Sequence, residues 1–431
     1  MELIPILVLV LGFISLLIIG MPVAWSIATS SLLTLLVSLP TMPALTTVAQ
    51  RIATGLDSFA LLAIPLFILS GELMNKGGIA KRLIAFAKTL VGSLPGGLAL
   101  INIISAMLMG AVAGSAMAAA SAMGSILGPE MEREGYSKEF GAAVNITAST
   151  TGLVIPPSNV LIVYSLASGG VSIAALFLAG YIPGLLTGLF LMIVAAFWAK
   201  KKGYKVGERS SFTQIIKSFS SALLSLFLLV VVIGGIVTGI FTATEASAVA
   251  VLYSLILGFF YKEISFKNLP GILLSACITT SIVMLLIGAS MSMSWVMSYE
   301  DIPQEISNGL LALSDNPIII LLIINLILLF VGIFMDMTPA VLIFTPIFLP
   351  VVVKLGLDPV HFGIIMVLNL CIGLCTPPVG SVLFVGVGIA QTTIDKVVRP
   401  LLPLFIAMIV ALFLVTYFPE LSLWLPRQFG F

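Results

Sequence analysis

Two stretches of the sequence carry the residue types from which an ion or solute site inside a membrane can be built. They are TTGLVIPPSNVLIVYS over 150–165 and IGLCTPPVGSVLFVGV over 372–387. Each places two adjacent prolines, a glycine and hydroxyl side chains inside a long apolar run. Proline removes a backbone donor and disfavours helical geometry in the residue before it. Each pair therefore predicts a helix that stops and restarts, freeing carbonyls near 151–155 and 372–376. Carbonyl and hydroxyl oxygens are ligands suited to Na+, and the restarting half-helix aims its positive end inward, which suits an anionic group. In hydrocarbon such a break survives only where protein buries it or where it lines a wet cavity. Proline kinks packed by neighbouring helices are the simpler alternative. Two kinks about 220 residues apart, each after a broken apolar segment, favour a site over packing.

The elements that must hold these stretches are membrane helices. Of 431 residues 60% are hydrophobic and 9% charged, with mean hydropathy +1.24. Apolar runs long enough to cross a bilayer recur throughout. A β-barrel would show short alternating segments instead. Full spans are expected at 4–20, 24–40, 54–75, 137–168, 172–199, 219–240, 244–261, 272–297, 360–390 and 400–418. The first run follows an acid with no Lys or Arg before it, which argues for a retained span rather than a cleaved leader. The net charge of +1 gives no reason to expect a nucleic-acid partner.

Two further apolar segments, 98–128 and 317–353, are too long for one ordinary helix and break near the middle. MLMGAVAGSAMAAASAMG (107–124) breaks at glycines and small residues, and VGIFMDMTPAVLIFTP (331–346) at Asp336 and Pro339. Halves of about 15 residues are short for a crossing, which predicts re-entrant helical hairpins; a single tilted span is the alternative. Charge favours the hairpins. With them, the basic groups Lys76/Lys81/Arg82/Lys88, Lys200/Lys201/Lys202/Lys205/Arg209/Lys217, Lys262/Lys267 and Lys396/Arg399 share one side, the cytoplasmic one. Glu300, Asp301, Glu305 and Asp315 then lie on the other, and both termini face outward.

Each half thus has three spans, a hairpin and two spans. An odd count inverts the second half, so the expected architecture is an all-α polytopic inverted repeat: 1–199, a cytoplasmic connection at 200–218, and 219–431. An offset of about 221 brings Pro156-Pro157 onto Pro377-Pro378, Gly152 onto Gly373 and Ser115 onto Asp336. The candidate Na+ ligands pair each hairpin tip with its neighbouring break. They are Ser115, Asn145, Ser149, Thr151 and Gly152 in the first half, and Gly332, Asp336, Thr338, Gly373 and Thr376 in the second. Substrate is expected between the breaks, near Ser158, Asn159, Pro378 and Ser381. Asp336 has an alternative role as an N-cap.

Other polar groups have structural readings. Thr242 and Glu245 form a capping box, and Asp57 is expected to cap the helix it begins. Glu72 lies near a cytoplasmic helix end. The alternate serines of SMSMSWVMS (290–298) read as a polar seam against a moving domain or as small packing residues. Cys277, Cys371 and Cys375 read as packing residues, and Trp25, Trp198, Trp295 and Trp424 as interfacial anchors. No nucleotide-binding loop, zinc motif or hydrolase triad is present, and one histidine with few acid–base groups argues against an enzyme.

PVAW, LDSFALLAIPLFILSGELM (56–74), GLVIPPS, FTATEASAVAVLY and CTPPVGSVLFV, in this order over nearly the whole chain, resemble the large membrane (M) subunit of tripartite ATP-independent periplasmic (TRAP) transporters. The resemblance implies an elevator mechanism, Na+ coupling, a small four-helix membrane subunit (Q) and a soluble periplasmic binding protein (P) that delivers an organic anion. The chain opens at the first M-type span, so the resemblance implies a separate Q chain. A C4-dicarboxylate or sialic acid is the substrate type expected, with no residue that decides between them. A stand-alone Na+/organic anion symporter and a channel or scaffold are the competing functions.

Overall fold

A computed structural model describes residues 3–204, 207, 211–314 and 316–431; Lys205, Arg209 and Asp315 lie outside the described residues. The chain forms twenty α-helices and one 3-10 turn, with no strand among the described residues. The first half runs α1 (Leu3–Ile18), α2 (Val23–Ser38), α3 (Thr41–Gly55), the 3-10 turn (Phe59–Leu62), α4 (Ala63–Lys76), α5 (Ile79–Val91), α6 (Gly97–Ala113), α7 (Ala116–Arg133), α8 (Lys138–Thr151), α9 (Asn159–Ala167) and α10 (Ile173–Lys202). The second runs α11 (Phe212–Val237), α12 (Ala243–Phe260), α13 (Leu269–Tyr299), α14 (Ile302–Leu313), α15 (Pro317–Phe334), α16 (Met337–Lys354), α17 (Pro359–Gly373), α18 (Ser381–Ile389), α19 (Ile394–Tyr417) and α20 (Glu420–Gln428). Among the described residues eight helices are long and apolar enough to cross a membrane.

The order of elements repeats. The hairpin arms α6 and α7 match α15 and α16, and the interrupted pair α8/α9 matches α17/α18. Their packing repeats too: α6 lies on α8 as α15 lies on α17, and α7 lies on α18 as α16 lies on α9. The two halves correspond least well at the third span. The long α13 is continuous, whereas its counterpart is divided into α3, the 3-10 turn and α4, so the span expected at 54–75 begins only at the turn. Asp57 caps neither element. Ser58 and Leu62 occupy the N-cap positions, without side-chain hydrogen bonds.

Four helices lie outside the expected spans: α3, α5, α14 and α20. They are short and amphipathic. In α5, Ile79, Leu83, Ile84 and Ala87 are buried while Lys81 and Lys88 stay exposed. A search for long apolar runs passes over such helices, because only one face is apolar. α5 and α14 occupy equivalent places, each leading into a hairpin. The hairpin arms are also longer than expected. Arms of 17 or 18 residues measure about 26 Å, so length alone does not make them re-entrant. Both tips nevertheless end at one interior cavity, the arrangement expected of re-entrant hairpins.

The helices sort into two sets. α1–α4 pack with α12 and α13, while the hairpins and interrupted helices pack with α10 and α19. The sets meet where α4 faces α6 and α9 and where α13 faces α16. In the second set, a buried polar chain ties four helices together. The Asn369 amide donates to the Asn325 side-chain oxygen (2.8 Å) and carbonyl (3.0 Å), and Asn325 donates to the Thr416 hydroxyl (3.3 Å). His361 lies between the Thr416 carbonyl (3.3 Å) and the Ser422 hydroxyl (2.6 Å). Local chemistry behaves as expected at Thr242, whose capping box with Glu245 is complete. Trp25 and Trp424 are exposed, Trp295 stacks on Tyr299 under Arg51, and Trp198 stacks on Phe140.

Replacing Asn369 by Leu removes both donors and leaves a buried oxygen of Asn325 unpaired. The expected loss is about 1 kcal/mol, read as a lower unfolding midpoint of the purified protein. An unchanged midpoint would show that the chain of bonds does not hold these helices.

Candidate functional site

The site is built from helix ends. In the first hairpin Gly114 closes α6 with φ +61, a left-handed geometry that an L side chain adopts only with strain, and Ser115 N-caps α7. The Ser115 hydroxyl accepts from the Ala118 amide at 3.3 Å. In the second hairpin Asp336 takes the N-cap position of α16, but its side chain makes no capping hydrogen bond. Its carboxylate therefore remains available and lines a cavity of about 200 Å³. Both tips line that cavity, through Gly114, Ser115, Asp336 and Thr338, together with Asn159 at the start of α9. α4 and α13 close it with Glu72 and Thr279. No Lys, Arg or His lines it among the described residues.

The first turns of α7, α9 and α16 all reach this cavity, so three positive helix ends converge there. The two interrupted helices cross beside it. The Cys371 thiol donates to the Thr150 carbonyl (3.0 Å), and the Cys375 sulfur lies 3.1 Å from the Thr150 hydroxyl. Both thiols are buried packing groups at the crossing of α8 and α17. Cys277 is exposed. Both proline pairs, Pro156-Pro157 and Pro377-Pro378, contain a cis peptide bond.

A pair of glycines fixes each hairpin against its interrupted helix. A Cβ on Gly110 would stand 2.9 Å from the Gly152 Cα, and one on Gly373 would stand 2.5 Å from the Gly332 Cα. Gly152, Gly332 and Gly373 thus sit at backbone-to-backbone contacts that admit no side chain. Gly110, the fourth member, has no polar atom to draw attention in the sequence. Its place, 222 residues before Gly332, does follow from the repeat.

The freed carbonyls fall in the later part of the expected stretches 151–155 and 372–376. At the first break the carbonyls of Thr150, Thr151 and Gly152 accept bonds from Leu153, Val154 and Ile155 at 3.1–3.2 Å. At the second, the carbonyls of Ile372 and Gly373 accept from Cys375 and Thr376 at 3.1 and 2.9 Å. Tight turns of this kind consume the last helical carbonyls before the prolines act. Carbonyls without a backbone partner begin at Leu153 and at Cys375.

The structure divides the expected ligands. Ser115, Asp336 and Thr338 share the tip cavity. Thr151 and Thr376 bond back to the carbonyls of Thr147 (2.9 Å) and Ile372 (2.7 Å). Ser149 is buried at the first break with an unpaired hydroxyl. Asn145 is held by the Ala120 carbonyl (2.7 Å) and lines a different cavity, between α6, α7, α8 and α18. Of the expected substrate residues Asn159 lines the tip cavity; Ser158 and Ser381 lie beside it with unpaired buried hydroxyls, and Pro378 is exposed. Sequence reasoning passed over Glu72 and Thr279 as cavity residues, because both come from spans outside the hairpins. Ser290 and Ser292 are buried on α13 with unpaired hydroxyls, a polar seam where α13 packs on neighbouring helices.

Residues 10–421 match the family described as "Tripartite ATP-independent periplasmic transporter, DctM component". The chain is 55% identical to the uncharacterized protein YgiK of Salmonella typhimurium, over 99% of this chain and 98% of that one. It is 39% identical to the C4-dicarboxylate TRAP transporter large permease protein DctM of Rhodobacter capsulatus (97% and 98% covered). It is 38% identical to the sialic acid TRAP transporter large permease protein SiaM of Vibrio cholerae (97% and 98%). Among solved structures, the YdaH transporter of Alcanivorax borkumensis superposes with a TM-score of 0.67 at 13% identity, covering 88% of this chain and 89% of that one, a likeness of fold.

Gly373→Ala is expected to destabilise the protein by roughly 1–3 kcal/mol, since the new methyl meets backbone that cannot yield. Gly234→Ala, where a Cβ meets nothing within 4 Å, serves as the control and is expected to be neutral or mildly stabilising. Equal melting temperatures for the two variants would contradict the close approach.

Proposed function

The chain belongs to the DctM component family of tripartite ATP-independent periplasmic transporters, and from that premise we propose that it imports an organic acid anion across the inner membrane, driven by Na+. The observation that carries this reading is the composition of the tip cavity. Converging helix N-termini suit a carboxylate, yet Asp336 and Glu72 line the same space and no basic residue does. An anion beside two carboxylates needs cations as companions. Na+ held by Asp336, Thr338, Ser115 and the oxygens of the breaks supplies them, and it makes anion binding depend on sodium. Ser149, Ser158 and Ser381, buried with unpaired hydroxyls, are further ligands in this reading. Asn145, Thr151, Gly152, Gly332, Gly373 and Thr376 then act chiefly by holding the breaks in shape.

The division of the helices into two sets supports an elevator motion. The hairpins, the interrupted helices, α10 and α19 carry the cargo, and α4 and α13 form the surface they slide along. The repeats 1–199 and 219–431, joined at 200–218, provide the two related ends of that motion. Glu72 also lines a second opening with Lys76, Glu263 and Lys267, on the basic face. That continuity fits a conformation open to the cytoplasm, with both termini periplasmic. A small membrane subunit and a periplasmic binding protein complete the transporter. The relatives named for C4-dicarboxylate and sialic acid make those two classes the substrates to try first.

The test is uptake into liposomes by the protein with its small subunit and binding protein. Sodium-driven uptake is expected, absent when either partner is omitted; Asp336→Asn is expected to reduce it roughly ten-fold or more, as about 1.4 kcal/mol of lost ion affinity would do. Full uptake without partners would point instead to a stand-alone symporter. Unchanged sodium dependence in the variant would remove Asp336 from the ion site.

A further inference from the structure

Away from the transport cavity, a concavity of about 500 Å³ opens where α10 ends and α19 begins. Lys201 and Lys202 enter it from one helix and Lys396 and Arg399 from the other, nearly 200 residues apart in the chain. Glu139 and Asp395 also line it, leaving cations in excess. None of the four cations has an ion-pair partner among the described residues, whereas Lys88 and Lys138 are paired with Glu130 (2.7 Å) and Glu132 (3.5 Å).

The wall is aromatic and fixed. Trp198 and Tyr204 line the pocket. Trp198 stacks on Phe140 with centroids 5.9 Å apart, and Tyr204 stacks on Tyr136 at 4.2 Å. The pocket is thus shaped by α10 and by the turn into α8. One to three turns further along, each helix presents an exposed apolar stripe. Ile193 and Phe197 are four apart on α10, and Val398, Leu402 and Ile406 are four apart on α19. Residues four apart share a helix face, and α10 and α19 pack on one another.

We propose that this pocket binds the phosphate headgroup of an anionic phospholipid from the inner leaflet, with its acyl chains along those stripes. The transporter reading enters only in naming this face cytoplasmic. The general excess of Lys and Arg on that face accounts for their number. It does not account for four of them converging from two helices on one aromatic-walled concavity. A free phosphate would use the cations alone; the apolar stripes below the pocket select a lipid. Basic pockets between membrane helices on the cytoplasmic side have the chemistry to hold such headgroups.

The probe is native mass spectrometry of the full-length protein, purified in detergent and titrated with phosphatidylglycerol or phosphatidylethanolamine. Retention of phosphatidylglycerol is expected to exceed that of phosphatidylethanolamine. It is expected to fall roughly ten-fold in Lys396→Gln/Arg399→Gln and in Lys201→Gln/Lys202→Gln, because each cation near an anionic headgroup contributes a several-fold effect. Lys81→Gln/Lys217→Gln, an equal charge change on exposed residues of the same face, is expected to leave retention unchanged. All six positions replaced are exposed, and the unfolding midpoint checks that each variant is folded. Equal retention of the two lipids, or an equal loss in the control variant, overturns the proposal. Displacement of the lipid by millimolar glycerol phosphate would make the site one for a soluble phosphate and overturn it as well.

Discussion

Every backbone amide and carbonyl inside hydrocarbon must find a partner, and the rest of this structure follows from that requirement. A helix meets it automatically. This chain departs from helix at four places in its apolar interior: two hairpin tips and two proline breaks. Each departure leaves polar backbone without its usual partner, so each survives only buried in protein or facing a wet or liganded cavity. The inverted repeat brings them together. Both hairpin tips end at one cavity, and each hairpin lies against an interrupted helix from its own half.

Close contact is what makes that assembly tight. The pairs Gly110–Gly152 and Gly332–Gly373 let backbone meet backbone one turn or less from each tip. Thr150, Cys371 and Cys375 fill the crossing between the halves with small groups that can share weak hydrogen bonds. The chain of Asn369, Asn325, Thr416, His361 and Ser422 then binds α17 to the outer helices of its set. Such polar chains are specific because each member leaves another unpaired when it is lost. On the opposite side of the cavity, α4 and α13 face the tips with Ile64, Ile68, Gly71 and Val283 beside the polar Glu72 and Thr279. Gly71 there approaches the Ala113 carbonyl, with room for no Cβ.

Much of this was legible in the residues themselves. The prolines located the breaks because proline chemistry is local, and the hairpins followed from charge, which sorts loops by side. Asp336 stood out as an acid in an apolar run, and it does line the cavity. The amphipathic helices α3, α5, α14 and α20 were not legible as spans, since half of each is polar. The free carbonyls occupy only the later part of the expected stretches because the 3-10 turns that end α8 and α17 form before the prolines intervene. Asn145 was grouped with Ser115 on sequence proximity to the break, but it lies on the part of α8 that faces α7 and a different cavity. Glu72 and Thr279 could not be assigned to the site from sequence, because only tertiary packing brings α4 and α13 to the tips.

On this account the two hairpin tips enclose a single space. Thiol labelling of Ser115→Cys and Thr338→Cys, each in the Cys277→Ser background, tests it most directly. On this account Na+ together with the transported anion protects both positions, with the same concentration dependence. Protection of one position while the other continues to react would mean that the tips face separate spaces, and the shared cavity would have to be abandoned.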